Sequence, residues 1–377
     1  MTEEYLKTRH RQFAATASDQ ALFEQTTQLA SSDRATILAN VNELSGRRGL
    51  AYGLLALYRQ QVDSGFVLAD PLGAEGKEQK VFEDPSCDVS FQLLWNPDRE
   101  LRKNHALLIE RGVIAKDVDK TQLVNKDAGG RPCYLCKENI ALQNPGEVLF
   151  PVQLAGEEYN LGANFAYISN NHFTLMCSEH RPQAYARHVL DVLCDFVDQT
   201  AGHFRGIYNG MAGASIPWHE HLQVTDVPFP VEQIRIAPHD VVRDDGTVRV
   251  SRPFYYTSAW VIEGAEPGCV CEAADRVITE WHRLNEEHHT ENVIAAKTDG
   301  KIRIFVFPRD TRRLGGQGKF GDMASFECGG SIVLSYAPPE DKPEDTNERQ
   351  TFEAANLSTV VRLLGDIAPI IPDPDTV

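Results

Sequence analysis

Apolar residues recur at three- and four-residue steps through much of the first 62 positions, the period of an amphipathic helix. Residues 22–44 carry this pattern, and the SGRR stretch from Ser45 is expected to end it. Residues 50–61, LAYGLLALYRQQ, are apolar around much of the helical circumference and read as a buried helix. Clustered Asp, Gly and Pro make 63–88 loop, and 90–104 a short apolar strand running into a basic loop. Residues 164–177 read as strand, turn and strand, with His172 at the turn. An amphipathic helix over 183–204 follows, buried through Ala186, Leu190, Leu193, Phe196 and Val197. Beyond 239–252, charged and Gly-containing and read as an exposed hairpin or loop, aromatic and β-branched content predicts a strand over 254–262, and a second amphipathic helix spans 273–287. Residues 293–296 and 302–307 form a hairpin across Asp299-Gly300. A strand over 331–336 and a helix over 351–367 complete the chain. Strand–strand–helix–strand is thus followed by strand–helix–strand–strand. The pattern predicts an α+β fold with an antiparallel sheet in two related halves, flanking helices and an N-terminal helical segment. The expected division is 1–88, helical; 89–235, bearing the chemistry; and 236–377, a second half without it.

Composition narrows the classes. At 377 residues the chain can bury a sizeable core as one large or two ordinary domains. No apolar run reaches the roughly 18 residues of a membrane helix, and the mixed-charge start MTEEYLKTRHRQF has no signal-peptide core. A cytoplasmic protein without a membrane partner is expected. The net charge of −17 argues against a nucleic-acid partner, because phosphate backbones are held by basic patches. Small phosphorylated substrates need only local donors. Eight cysteines in such a chain read as thiols or metal ligands rather than a disulfide framework.

The candidate chemistry centres on 208–224, YNGMAGASIPWHEHLQV. On a strand, His219, His221 and Gln223 share one face while Glu220, Leu222 and Val224 point the other way. Upstream, Gly210, Gly213 and Ser215 allow backbone and a hydroxyl to approach a phosphate. An imidazole there can attack phosphorus and carry a covalent nucleotidyl group; a bare HxH would equally suit a structural metal. RPCYLCK at 131–137 places Cys133 and Cys136 at a spacing that suits one tetrahedral zinc. Redox chemistry is the competitor, and no βαβ pattern surrounds the pair to favour it. Arg99, Arg102 and Lys103 form a dense positive cluster in an acidic chain, either a solvated loop or a phosphate contact.

GASIPWHEHLQ resembles the signature of the histidine-triad superfamily, in its branch with Gln in the third place. That branch holds galactose-1-phosphate uridylyltransferases, diadenosine tetraphosphate phosphorylases and GDP-hexose phosphorylases. HFRGIYNGMAGASIPWHEHLQVTDVPFPVE is most similar to the last group. LLWNPDRELRK resembles its basic loop, and RIFVFPRDTRR with FECGG its C-terminal elements. The resemblance implies a histidine-triad-like sheet with His221 as nucleophile and Gln223 as donor to the phosphoryl oxygens. It implies that Asn209, Gly213 and Ser215 line the phosphate, and that Arg99, Arg102, Arg303 or Arg309 neutralise phosphates or acceptor. It further implies a structural Zn2+ on Cys133, Cys136, His172 and His219, as in the uridylyltransferases. Trp218 and Glu220 depart from the usual residues at their places, and phosphorylase-like motifs are combined here with uridylyltransferase-like zinc ligands.

The activity implied is a nucleotidyltransferase or phosphorylase acting on a nucleoside diphosphate sugar, GDP-hexose phosphorylase-like. Dinucleoside tetraphosphate phosphorylase and hexose-1-phosphate uridylyltransferase are the alternatives. Its partners would be a nucleotide sugar or dinucleotide with inorganic phosphate or a sugar phosphate, and a homodimer is among the expected assemblies. Two readings from other classes compete: a zinc hydrolase using His172 with the HxH pair, and a catalytically silent nucleotide-binding protein.

Overall fold

The structure is a computed structural model that describes residues 3–67, 78–96, 105–126, 129–315, 320, 323–334 and 348–369. Four helices open the chain: α1 (Glu3–Gln12), α2 (Ala17–Thr27), α3 (Arg34–Arg48) and α4 (Leu50–Asp63). SGRR does not end a helix as expected. It forms the last turn of α3, and the stop falls at Gly49, whose φ of 89° lies in the region glycine favours. Strands β1 (Glu78–Asp84) and β2 (Val89–Trp95) and short helices α5 (His105–Glu110) and α6 (Lys137–Gln143) follow. Strand β1 falls where the polar composition suggested only loop; its alternate residues are exposed, so no apolar run marks it.

The first half of the main sheet comprises β3 (Phe150–Leu154), β4 (Glu157–Ala163), β5 (Phe173–Cys177), helix α7 (Arg187–Gln199), β6 (Arg205–Asn209) and β7 (His221–Thr225). The second comprises β8 (Val241–Asp244), β9 (Val248–Ser251), β10 (Trp260–Gly264), α8 (Pro267–Leu284), β11 (His289–Thr298) and β12 (Lys301–Asp310). Then come α9 (Ser325–Cys328), β13 (Ser331–Leu334), α10 (Glu348–Ala354) and α11 (Leu357–Ile367). Each half therefore runs three strands, one helix, two strands.

The ten strands form one sheet in the order β3-β4-β5-β7-β6-β11-β12-β10-β9-β8. Read from each edge inward, the order is the same, so an approximate two-fold axis passes between β6 and β11. Asn209 pairs with Asn292 across that seam, and the Asn292 amide donates to the Asn209 Oδ1 at 3.0 Å. The β11–β12 turn holds Asp299 and Gly300 at φ of 52° and 75°, the two positive values that a tight type I′ hairpin requires.

One sheet face packs on α7, α8 and the N-terminal helices through a core that includes Leu222, Val224, Phe173 and Val293. The other carries Ile207, Ile294 and Phe305 and is covered by the small β1-β2-β13 sheet, α9 and α11. Alternation along β7 puts His221 and Gln223 on this second face. On the same face of β12, the matching strand of the second half, stand Arg303, Phe305, Phe307 and Arg309. That face of β12 carries neither histidine nor glutamine. No helix among the described residues is long and apolar enough to cross a membrane.

Candidate nucleotidyl-transfer and metal site

His219 lies two residues before β7, and its ring is fixed from behind. Its Nε2 lies 2.9 Å from the carbonyl oxygen of Cys177, which can only accept, so Nε2 carries the proton. The Nδ1 lone pair then faces forward, 3.2 Å from Cys133 Sγ, 3.6 Å from Cys136 Sγ and 3.2 Å from His180 Nδ1. His180 Nδ1 also lies 3.3 Å from Cys136 Sγ. These four donor atoms all fall within 4.8 Å of one another. A zinc ion with bonds of about 2.3 Å to sulfur and 2.0 Å to nitrogen needs tetrahedral edges of roughly 3.4–3.8 Å. The spacing, the two soft sulfurs and the preset His219 tautomer all fit that ion.

The fourth member is therefore His180, not His172. Strands β5 and β7 are antiparallel, with Phe173 opposite Val224 and Met176 opposite His221. His172 thus lies at the Thr225 end of the pair and His219 at the other, about six residues or roughly 20 Å away along the strands. His180, three residues past the end of β5, returns to the His219 end.

The cluster is braced on every side. Asn125 donates its amide to Cys136 Sγ at 3.2 Å, and the Leu135 N–H to Cys133 Sγ at 3.4 Å. Arg131 lies over the Trp218 ring at 5.5 Å, joining the C-x-x-C loop to the segment entering β7. Glu220 is turned to the opposite side and buried. There its carboxylate receives Arg181 at 2.8 and 3.0 Å, His188 at 2.7 Å and the Tyr159 hydroxyl at 2.7 Å. Burial alone would raise its pKa; the donations from His188, Arg181 and Tyr159 outweigh it and hold the carboxyl at about 2. Since Arg181 follows His180, this ion pair couples both histidines of the cluster. Burial carries His219 down to about 4 and Cys136 up to about 12, so the protein alone favours neutral donors here.

His221 is buried at the start of β7. Its N–H donates to Gln183 Oε1 at 2.7 Å, while Gln183 Nε2 donates to the carbonyls of Asn209 at 2.8 Å and His221 at 2.9 Å. Gln183 thus clamps β6 to β7 where the 210–220 connection leaves the sheet. His221 Nδ1 donates to the His219 carbonyl at 2.9 Å. That acceptor fixes the proton on Nδ1 and leaves the lone pair on Nε2. Burial lowers the His221 pKa, which keeps the ring neutral.

Other residues singled out from the sequence stand as follows. Gln223 is half-buried one alternation beyond His221, its Oε1 3.2 Å from His172 Nε2. Ser215 is exposed on the 210–220 connection. Gly213 has φ of 126°, and a Cβ there would meet the Ala324 Cβ at 2.7 Å, so it serves close approach to α9. The Asn209 side-chain oxygen is taken by Asn292, the Ser325 N–H at 3.0 Å and the Ser325 hydroxyl at 2.6 Å. It ties the seam to α9.

Two arginines are reassigned. Arg309 is fully buried, donating to Asn292 Oδ1 at 2.5 Å and the Met323 carbonyl at 2.8 Å; it organises the segment before α9 and has no face for a phosphate. Arg303 bonds the Glu232 carbonyl at 2.8 Å, pairs with Glu263 at 3.3 Å and lies over Phe305. Its charge is met within the protein. Arg99 and Arg102 lie outside the described residues. Sequence reasoning missed His180 and Gln183. A histidine just past the strand that pairs with the HxH strand was the available signal for the first; nothing marked the second.

Beside this site, on the same sheet face, a cavity of about 320 Å³ is lined by Trp95, Asn96, Tyr167, Ser169, Phe229 and Phe326 among others.

Residues 110–226 match the model of a domain of unknown function, DUF4922. The galactose-1-phosphate uridylyltransferase of Bacillus subtilis is 26% identical over 190 residues, covering 48% of this chain and 36% of that protein. Galactose-1-phosphate uridylyltransferase 1 of Streptococcus pneumoniae is 23% identical over 201 residues, covering 47% and 40%. The chain thus spans well under half the length of these curated relatives. The crystal structure of yeast Ap4A phosphorylase superposes with a TM-score of 0.47 at 17% identity, covering 85% of this chain and 97% of that one. With its HxHxQ segment on a central antiparallel strand, the chain is similar over about half of its length to the galactose-1-phosphate uridylyltransferases.

Proposed function

We propose that the chain is a nucleotidyltransferase working by double displacement through His221. The observation that carries this reading is the 2.9 Å contact between His221 Nδ1 and the His219 carbonyl oxygen, an acceptor that keeps the proton on Nδ1 and leaves the lone pair on Nε2, on the face that Gln223 shares. In the first step the Nε2 lone pair forms a bond to the α-phosphorus of a nucleotide sugar or dinucleotide. The bond to the bridging oxygen breaks, and that oxygen leaves with its electron pair on a sugar phosphate or nucleotide. In the second, an oxygen of inorganic phosphate or a sugar phosphate attacks the same phosphorus and releases Nε2. The ring gains positive character while bonded to phosphorus, and the His219 carbonyl offsets it through Nδ1–H. Gln223 supplies a side-chain N–H to the equatorial oxygens, where negative charge develops.

Cys133, Cys136, His180 and His219 would hold a structural zinc ion, which supplies no reacting position because four protein ligands close its tetrahedron. What these residues do for the reaction is fix the start of β7 and the carbonyl that orients His221. Among the described residues no carboxylate joins the cluster, and His172 stands at the other end of the strand pair; both count against a zinc hydrolase. The aromatic lining of the cavity near Phe326 suits a nucleobase. The curated relatives act as uridylyltransferases by name, which favours a hexose-1-phosphate acceptor; the phosphorylase-like motifs favour inorganic phosphate, with GDP-hexose among the donors. The test is incubation with UDP- and GDP-sugars and Ap4A, each with phosphate or a hexose 1-phosphate, and chromatography of the products. Acceptor-dependent release of a nucleoside di- or triphosphate or a new nucleotide sugar supports the reading, and loss of nucleotide to water alone contradicts it.

A further inference from the structure

His172 is fully buried at the entry to β5, at the end of the 164–172 connection from β4, whose base is closed by the Asn164 N–H donating to the His172 carbonyl at 2.9 Å. Its ring is wedged edge-on against Phe326 of α9, centroids 5.5 Å apart. The two ring nitrogens have partners of opposite character. Nδ1 lies 3.1 Å from the backbone N–H of Ile168, a group that can only donate, so Nδ1 is the acceptor and the proton must sit on Nε2. Nε2 lies 3.2 Å from Gln223 Oε1.

A glutamine amide can present either end to a neighbour, and the two ends differ in sign. With the proton on His172 Nε2, only the oxygen of Gln223 can face it; the reverse would set two N–H groups head-on. The NH2 end is thereby turned away from His172, and it bonds no other described residue. We propose that His172 is a positioning residue for phosphoryl transfer: it selects the Gln223 rotamer that presents N–H, rather than C=O, to the phosphoryl group on His221. Without that constraint the amide samples both ends, and half of its orientations put a carbonyl dipole against developing negative charge. The role rests on the nucleotidyl-transfer reading given above, and it extends the site to α9 of the second half through Phe326.

The test has two arms on the full chain. In the first, long-range 1H–15N correlation of the substrate-free protein reads the His172 ring; a protonated Nε2 with an unprotonated Nδ1 is expected. The second measures single-turnover labelling from α-32P-labelled UDP-glucose, GDP-glucose and Ap4A in His172→Phe, His172→Gln, Gln223→Ala and the His172→Phe/Gln223→Ala pair. His172→Phe should label roughly ten- to a hundredfold more slowly at saturation, with half-maximal substrate concentration unchanged. His172→Gln, which can still donate, should recover part of the rate, and the double variant should be no slower than Gln223→Ala. Full-rate labelling by His172→Phe, additive losses in the double variant, or a protonated Nδ1 overturns the role of His172 alone. Wild-type protein that takes no label from any probe overturns the transfer reading and this role with it, whatever the tautomer.

Discussion

Replacing His180 by alanine separates the donor cluster of the structure from the one expected from sequence. His180 contributes one of four donors, its Nδ1 3.3 Å from Cys136 Sγ and 3.2 Å from His219 Nδ1. Structural zinc sites of this kind bind with about 10–16 kcal/mol at neutral pH, so one ligand accounts for roughly 3 kcal/mol if the four share evenly. That is about a hundredfold in affinity at 25 °C. The wild type should retain about one zinc per chain against a chromophoric chelator that strips His180→Ala. His172→Ala should keep its zinc, because that ring lies at the far end of the β5–β7 pair. Loss of Cys133 or Cys136 should be at least as severe as loss of His180, since the thiolates carry the charge that the cation neutralises. Full zinc retention in His180→Ala together with loss in His172→Ala would refute the geometry; zinc-free wild-type protein after purification with zinc supplied would refute the site.

Two further outcomes follow from burial. Glu220→Gln should cost about 3 kcal/mol near pH 7, since a folded-state pKa of about 2 lies some 2.5 units below that of an unfolded glutamate. Because the folded pKa is depressed, this stability is present above about pH 4.5 and is lost as pH falls toward 2, so the gap between variant and wild type in urea unfolding should narrow over that range; a gap independent of pH would contradict it. Arg309→Met should lower Tm by several degrees, because Asn292 Oδ1 and the Met323 carbonyl lose a buried donor. A stable Arg309→Met with raised KM would restore Arg309 to the substrate.

Much of the fold was legible because its signals are local. The alternation of HEHLQ, the apolar stripe of α7 and the Asp299-Gly300 turn each need only a few neighbouring residues. The presence of two similar halves could be read for the same reason, although each half has more strands than the sequence pattern marked: β3 at 150–154 carried no expected strand. What escaped depends on strand register. Nothing local distinguishes His172 from His180 as the partner of a C-x-x-C pair, since both flank β5; only the antiparallel pairing with β7 sends one to each end. The arginines misled for a different reason. In a chain of net charge −17 a cation near glycines looks available for phosphate, yet Arg309 is enclosed by backbone carbonyls and Arg303 by Glu263 and the Glu232 carbonyl. Gln183 lies in a polar, proline-containing stretch whose composition gives no hint that it bridges β6 and β7.

The measurement closest to the central claim is covalent labelling of the chain by an α-32P nucleotide sugar or dinucleotide with no acceptor present. The wild type should take up at most one nucleotidyl group per chain in a burst, stable in base and labile in acid as a phosphoramidate is, and peptide mapping should place it on His221. His221→Ala should take up none and lose turnover by several orders of magnitude while keeping its zinc. Addition of the acceptor should discharge the label into product at the turnover rate. Turnover by the wild type without label, with His221→Ala still active, would contradict a nucleophilic His221 and with it the account of the site.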